Sequence, residues 1–194
     1  YSDSLHRGSF RLKDAQTNGT LISINMKNID TIVISDTSIK KILIEHENLP
    51  SATFTMNSGW NIVSLPYEVE DARKSVVFPT STSSAFAYRS GYVPCDTLKR
   101  HEGYWIRFNS LEQINLAGSA VLNDTIDVKE GWNLIGSISQ PINIINIVSE
   151  PLNIILSNVY GYGTGYEAVD VIVPAHGYGV KVNQNGKLFL KLIK

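Results

Sequence analysis

Gly59-Trp60-Asn61-Ile62-Val63-Ser64 returns 72 positions later as Gly131-Trp132-Asn133-Leu134-Ile135-Gly136, and this recurrence decides how the chain is read. Phe86-Ala87-Tyr88-Arg89-Ser90-Gly91-Tyr92 returns as Tyr160-Gly161-Tyr162-Gly163-Thr164-Gly165-Tyr166. Gly103-Tyr104-Trp105-Ile106-Arg107-Phe108 returns as Gly177-Tyr178-Gly179-Val180-Lys181-Val182, now 74 positions on, and Ile114-Asn115-Leu116 matches Leu188-Phe189-Leu190. Separate blocks in one order define copy A over 52–122 and copy B over 123–194. Residues 1–51 lie outside the repeat as a small N-terminal β segment.

The repeat reads as β. Tyr104, Ile106 and Phe108 alternate with Trp105 and Arg107, the period of two of a half-buried strand. The Gly-Trp-Asn strand carries apolar residues on both faces and is expected to be central and covered on both sides. Polar links at Asn109-Ser110 and Asn185-Gly186 predict one hairpin per copy. Pro141 to Val148 predicts a single helical turn, with strand resuming over 152–160. In the N-terminal segment, Asn18-Gly19 marks a hairpin between the Phe10/Leu12 and Ile22–Met26 alternations. Ile32-Val33-Ile34 and Ile42-Leu43-Ile44 read as two more strands. The fold class is all-β, with tandem sandwich-like or barrel-like modules. About 70 residues without a disulfide make a marginal core, so the copies are expected to share an interface.

The 194 residues carry 17 Lys+Arg against 18 Asp+Glu. That balance argues against nucleic acid or an anionic membrane surface, and no apolar run is long enough to insert in a bilayer. The chain starts at Tyr1 with no basic-then-apolar leader, so a signal peptide is expected to be absent or removed. The single Cys95 cannot form an internal disulfide.

The copies serve as internal controls. Trp60 and Trp132 read as core indoles opening a strand, with sugar stacking as the sharper reading. Asn61 and Asn133 read as ties for the turn backbone, and Gly59, Gly131, Gly103 and Gly177 as positive-φ turns. Asp96 and Asp170, the acids shared by both copies, read as turn-organising carboxylates. Tyr104 and Tyr178 belong to the framework. Cys95 aligns with Val169 and reads as a buried hydrophobe; His101 and His176 read as solvent-facing turn residues. Trp105 shares the Arg107 face and has Gly179 as its counterpart, so it is either an inter-module contact or a binding residue. Trp105, Arg107, Tyr92 and Tyr166 are the candidate binding residues. No zincin, nucleophile-elbow, phosphate-loop, EF-hand or zinc pattern occurs, so no catalytic residue, metal or cofactor is assigned and a non-enzyme is expected.

Gly59-Trp60-Asn61, Gly91-Tyr92-Val93, Asp96-Thr97-Leu98 and Gly103-Tyr104-Trp105, with Gly131-Trp132-Asn133-Leu134, Tyr160-Gly161-Tyr162 and Gly177-Tyr178, resemble a tandem β-module of secreted and cell-surface bacterial proteins. Copy B departs at Gly179, where that module usually has Trp. Such modules often occur in proteins exported by type IX secretion, ahead of a sorting domain that this sequence does not show. The resemblance implies an extracellular or cell-surface location and no catalysis. The expected role is structural or adhesive, with copies of itself or other surface proteins as partners. One variant is a filament in which an edge strand from residues 1–14 pairs with a neighbour. The alternative is a carbohydrate-binding accessory module of a secreted hydrolase, with polysaccharide as partner.

Overall fold

The computed structural model describes residues 9–26, 31–47 and 49–192. The chain forms two compact units, 1–50 and 51–194.

In the first unit β1 (Ser9–Asp14), β2 (Ser23–Asn25) and β3 (Ile42–Glu47) form an antiparallel sheet in the order β2-β1-β3. The Asn18-Gly19 turn forms as expected, with φ of 54° and 87°. It is organised by the Asp14 carboxylate, which accepts from the Thr17 amide and hydroxyl, both at 2.7 Å, and from the Leu21 and Ile22 amides at 3.1 Å. Burial pushes this carboxyl up, but those donors outweigh it and bring the pKa down to about 2. Two expectations fail. Ile32-Val33-Ile34 forms no strand, because side-chain alternation makes no ladder without a neighbour to pair with. Residues 1–8 of the proposed edge strand lie outside the described residues, and its remainder, β1, is the central strand. The edges are β2 and β3, and on β3 Ile42, Leu43 and Ile44 are all exposed.

Copy A contains β4 (Ser51–Met56), β5 (Gly59–Val63), β6 (Tyr67–Glu68), α1 (Lys74–Val77), β7 (Ala85–Tyr88), β8 (Tyr92–Cys95), β9 (Tyr104–Phe108), β10 (Glu112–Ala117) and β11 (Ser119–Ala120). Copy B contains β12 (Asn123–Val128), β13 (Gly131–Ile135), β14 (Ile142–Asn143), a 3-10 turn (Ile144–Asn146), β15 (Val148–Glu150), β16 (Val159–Tyr162), β17 (Tyr166–Val169), β18 (Val171–Ile172), β19 (Tyr178–Val182) and β20 (Gly186–Lys191). The four-stranded sheets β5-β9-β7-β8 and β13-β19-β16-β17 share one order and one register. Trp60 pairs with Arg107 as Trp132 pairs with Lys181, and Tyr88 with Tyr92 as Tyr162 with Tyr166. The duplicated sequence therefore folds as a duplicated sheet.

A smaller sheet covers the inner face of each: β4 with β10 in copy A, and β12-β20-β15 in copy B. Tyr104, Ile106 and Phe108 meet Met56, Ile114 and Leu116 in one core; Tyr178, Val180 and Val182 meet Val128, Leu188 and Leu190 in the other. Among the described residues no sheet closes into a barrel. The links at Asn109-Ser110 and Asn185-Gly186 are corners rather than hairpins, since β9 and β10 pair with different partners, as do β19 and β20. A polar link reports where a strand ends, not which strand the next one joins.

Positions β5 and β13 also differ from expectation: they are edge strands. Their outward apolar residue in copy A, Ile62, is nevertheless buried, because the other copy covers it. The helical turn expected after Pro141 is the 3-10 turn, capped by the Asn143 side chain accepting from the Ile145 amide at 3.1 Å. Its counterpart α1 lies in copy A. Both are anchored the same way, Lys74 N donating to Asp96 O at 2.7 Å and Ile144 N to Asp170 O at 2.9 Å. Strand does not resume directly at 152; a turn with Asn153 at φ 63° precedes β16.

The copies meet in a seam whose contacts occur twice with roles exchanged. Gly103 N donates to Leu134 O at 3.1 Å and Gly177 N to Ile62 O at 2.9 Å; Ser64 N donates to Ala175 O at 2.9 Å and Gly136 N to His101 O at 3.1 Å. Val63 bridges to His176 as Ile135 bridges to Glu102. Reciprocity of this kind defines a local two-fold axis. It runs by Gly103 and Gly177, whose role is close approach and not a positive φ. A Cβ on Gly177 would sit 2.5 Å from Ile62 Cγ2 and 3.0 Å from Gly103 Cα. His101 and His176 are half-buried in this seam instead of facing solvent, and burial lowers the His176 pKa.

Candidate functional site: an aromatic cleft across the seam

Shared polar devices fix the framework. Gly59 and Gly131 adopt φ of 91° and 94°. In the turn they open, Asn61 Oδ1 accepts from Asn57 N at 3.0 Å while Nδ2 donates to Asn57 O and Gly59 O. Asn133 repeats this with Lys129 and Gly131. Tyr104 and Tyr178 each accept on the hydroxyl from a backbone amide five residues back, Lys99 and Val173, at 2.8 Å. Burial pushes both phenols up. In copy A alone the Tyr104 hydroxyl donates to Glu102, which also pairs with Arg89 at 2.8 Å. Burial opposes ionisation of Glu102, but these donors hold its pKa below the ordinary value.

Asp96 and Asp170 act through their backbone carbonyls, and both residues are exposed. Cys95 is half-buried against the copy A core, as Val169 is against that of copy B, so the thiol occupies a hydrophobe's place without being fully enclosed.

The indoles of Trp60 and Trp132, expected in the core, are 41% and 47% exposed. Asn61 takes the inward place to serve the turn, and alternation sends the preceding indole outward. The outer faces of the two four-stranded sheets thus carry Trp60, Phe86, Tyr88 and Trp105 from copy A, and Trp132, Tyr160 and Tyr162 from copy B. The seam brings these faces together. Trp105 lies edge-on to Tyr162 of the other copy, with ring centroids 4.6 Å apart, and is flanked by Trp60 at 6.3 Å and Tyr166 at 6.1 Å. It is therefore an inter-copy contact, and its Nε1 is buried without a hydrogen-bond partner. Tyr92 and Tyr166, equivalent residues 57% and 59% exposed, lie near each other across the axis and line both clefts of the seam.

Around them open two clefts. One of about 460 Å3 is lined by Trp60, Phe86, Tyr92, Trp105, Tyr162 and Tyr166. The second, of about 440 Å3, holds Tyr88, Tyr92, Trp132, Tyr160, Tyr166 and Gly179 among its walls. Trp60, Tyr92, Trp132 and Tyr166 are the exposed rings in these walls. Of the candidate binding residues, the structure gathers Trp105, Tyr92 and Tyr166. Arg107 is exposed on the same sheet face, opposite Trp60, but outside both clefts. Trp60 and Trp132, for which sugar stacking was the sharper reading beside a core role, line these clefts together with Tyr88 and Tyr160. The two tyrosines were not among the candidate binding residues; their clustering with glycine was the available signal.

Among the described residues no group of three His, Cys, Asp or Glu could hold a metal ion, and no helix is long and apolar enough to cross a membrane. No family model matches the sequence, and neither the curated proteins nor the solved structures give a match.

Proposed function

We propose that this chain is a non-catalytic adhesive module of the bacterial cell exterior, an open sandwich-like pair whose working surface is the aromatic cleft between the copies. The observation that carries this is the exposure of Trp60, Trp132, Tyr92 and Tyr166 on one continuous face, where burial of rings supplies most of the energy of an interface. The extracellular setting is supported by the motif resemblance. The β3 edge, with Ile42, Leu43 and Ile44 exposed, supports self-association.

Beads coated with the whole chain should attach to bacterial surfaces. The Trp60→Ala/Trp132→Ala/Tyr92→Ala variant, with unchanged circular dichroism, should lose that attachment. Equal attachment by the variant refutes the reading. Light scattering at increasing concentration tests self-association, and a strictly monomeric chain removes that part.

Carbohydrate binding is the second reading. It is supported by a polar groove of about 630 Å3 beside the cleft, where Arg89, Glu102, Asp127 and Glu130 could meet hydroxyl groups while Trp132 supplies a ring. A glycan array with Trp132→Ala as control tests it; no retained saccharide removes it.

A further inference from the structure

Trp105 rises from the central strand of its sheet, opposite Ile62 on one side and Phe86 on the other. Gly179 stands at the same place in copy B, opposite Leu134 and Tyr160. Every ring around Trp105 has a counterpart around Gly179: Trp132 for Trp60, Tyr160 for Phe86, Tyr88 for Tyr162 and Tyr92 for Tyr166. Because the two-fold seam relates the walls in space, the seat is built twice and receives an indole once. A cleft is left open at each, about 460 Å3 beside Trp105 and about 440 Å3 at Gly179. The cleft at Gly179 is within the size range of ligand pockets. It is not collapsed: a Cβ on Gly179 would meet only Trp132 Cζ3 and Tyr160 O, both at 3.9 Å.

We infer that the Gly179 slot binds a tryptophan side chain displayed by a partner polypeptide. The molecule itself shows what such walls accept, since in the filled seat the occupant is an indole held edge-on by tyrosines. Two features favour a polypeptide source. The slot shares Tyr88 and Trp132 with the adjoining groove, so residues flanking a tryptophan have somewhere to lie. That groove carries three cations (Arg89, Lys99, Lys129) and three anions (Glu102, Asp127, Glu130), a balance that suits the dipoles of a peptide backbone better than a polyanion. This inference rests on the adhesive reading and names the group through which adhesion works.

Titration of the whole chain, followed by NMR, compares N-acetyl-L-tryptophanamide, a Gly-Gly-Trp-Gly-Gly peptide and cellohexaose. The tryptophanamide should bind saturably at one site with a dissociation constant of roughly a millimolar, as befits a single ring. The peptide should bind several-fold more tightly. Gly179→Trp supplies the missing indole from within and should weaken both at least tenfold. Trp105→Gly empties the other seat and should raise the stoichiometry from one to two; if that variant unfolds, the Gly179→Trp result decides alone. Absence of saturable binding by either tryptophan probe overturns the inference, as does binding that Gly179→Trp leaves intact. A peptide no tighter than the amide overturns the polypeptide source. Cellohexaose binding without tryptophan binding overturns the indole and favours the saccharide. Cell attachment that needs Trp132 yet is unaffected by Gly179→Trp leaves the adhesive reading standing while the slot assignment falls.

Discussion

Copies A and B share the order and register of their four-stranded sheets and the polar ties, yet differ in the smaller sheets and in what fills them. The copy A core is partly aromatic, with Phe78 edge-on to Phe108 at 6.2 Å and Met56 beside them; copy B puts Val182 and Val128 at the last two positions. On the outer face the difference is starker. Copy A sends Trp105 across the seam, and copy B has Gly179. Near the axis copy A places Glu102 where copy B places His176. The framework tolerates changes of volume when a neighbouring residue compensates. What both copies keep are the groups that set the chain's path: Gly59 and Gly131, Asn61 and Asn133, Tyr104 and Tyr178, Gly103 and Gly177.

The seam offers the sharpest way to break the pair. Gly177→Ala forces a methyl against Ile62 and the Gly103 backbone and should cost about 3 kcal/mol in urea unfolding. Gly103→Ala, where the nearest contact is Ile135 O at 2.9 Å, should cost less, about 2 kcal/mol. Next in size, Trp105→Ala removes the ring that joins the copies and should cost about 2 kcal/mol, whereas Trp132→Ala, on a half-exposed ring, should cost under about 1 kcal/mol. Asn61→Ala and Asn133→Ala both strip a turn of three hydrogen bonds. Asn61 is buried and Asn133 half-buried, so the losses should be about 2 and about 1 kcal/mol.

Acid should act on the two halves in different windows. His176 has a pKa lowered by burial, so the unfolded chain binds more protons and stability falls as pH drops through its ordinary 6.5. Glu102 also has a lowered pKa, set by burial that raises it and by stronger lowering from Arg89 and Tyr104; its contribution is present above the ordinary 4.5 and lost below it. In stability profiles measured by denaturant, His176→Gln should flatten the step near pH 6 and Glu102→Gln the step near pH 4. This is the smallest of the effects.

Much of the fold was legible because the repeat is written in residues that control backbone path. Glycines before Trp60 and Trp132, the asparagines after them, and the alternation in 104–108 are local signals with local consequences. Which strand pairs with which was not legible at Asn109-Ser110, since a polar link looks alike at a hairpin and at a corner. The cleft was half-legible. Trp105 was placed on the correct face by alternation alone. The exposure of Trp60 and Trp132 depends on how far the opposing copy covers each outer face, and no local pattern encodes that. The Tyr92–Tyr166 pair exists only because two equivalent residues meet at an axis.

Assigned aromatic NOESY spectra of the whole chain test the central claim, that the two outer faces are brought together into one cleft. Cross-peaks should join the Trp105 ring to the Tyr162 ring of the other copy, and Ile62 methyl protons to Gly177 Hα. If Trp105 shows cross-peaks to rings of copy A alone, the faces do not meet and the cleft is not a feature of this protein.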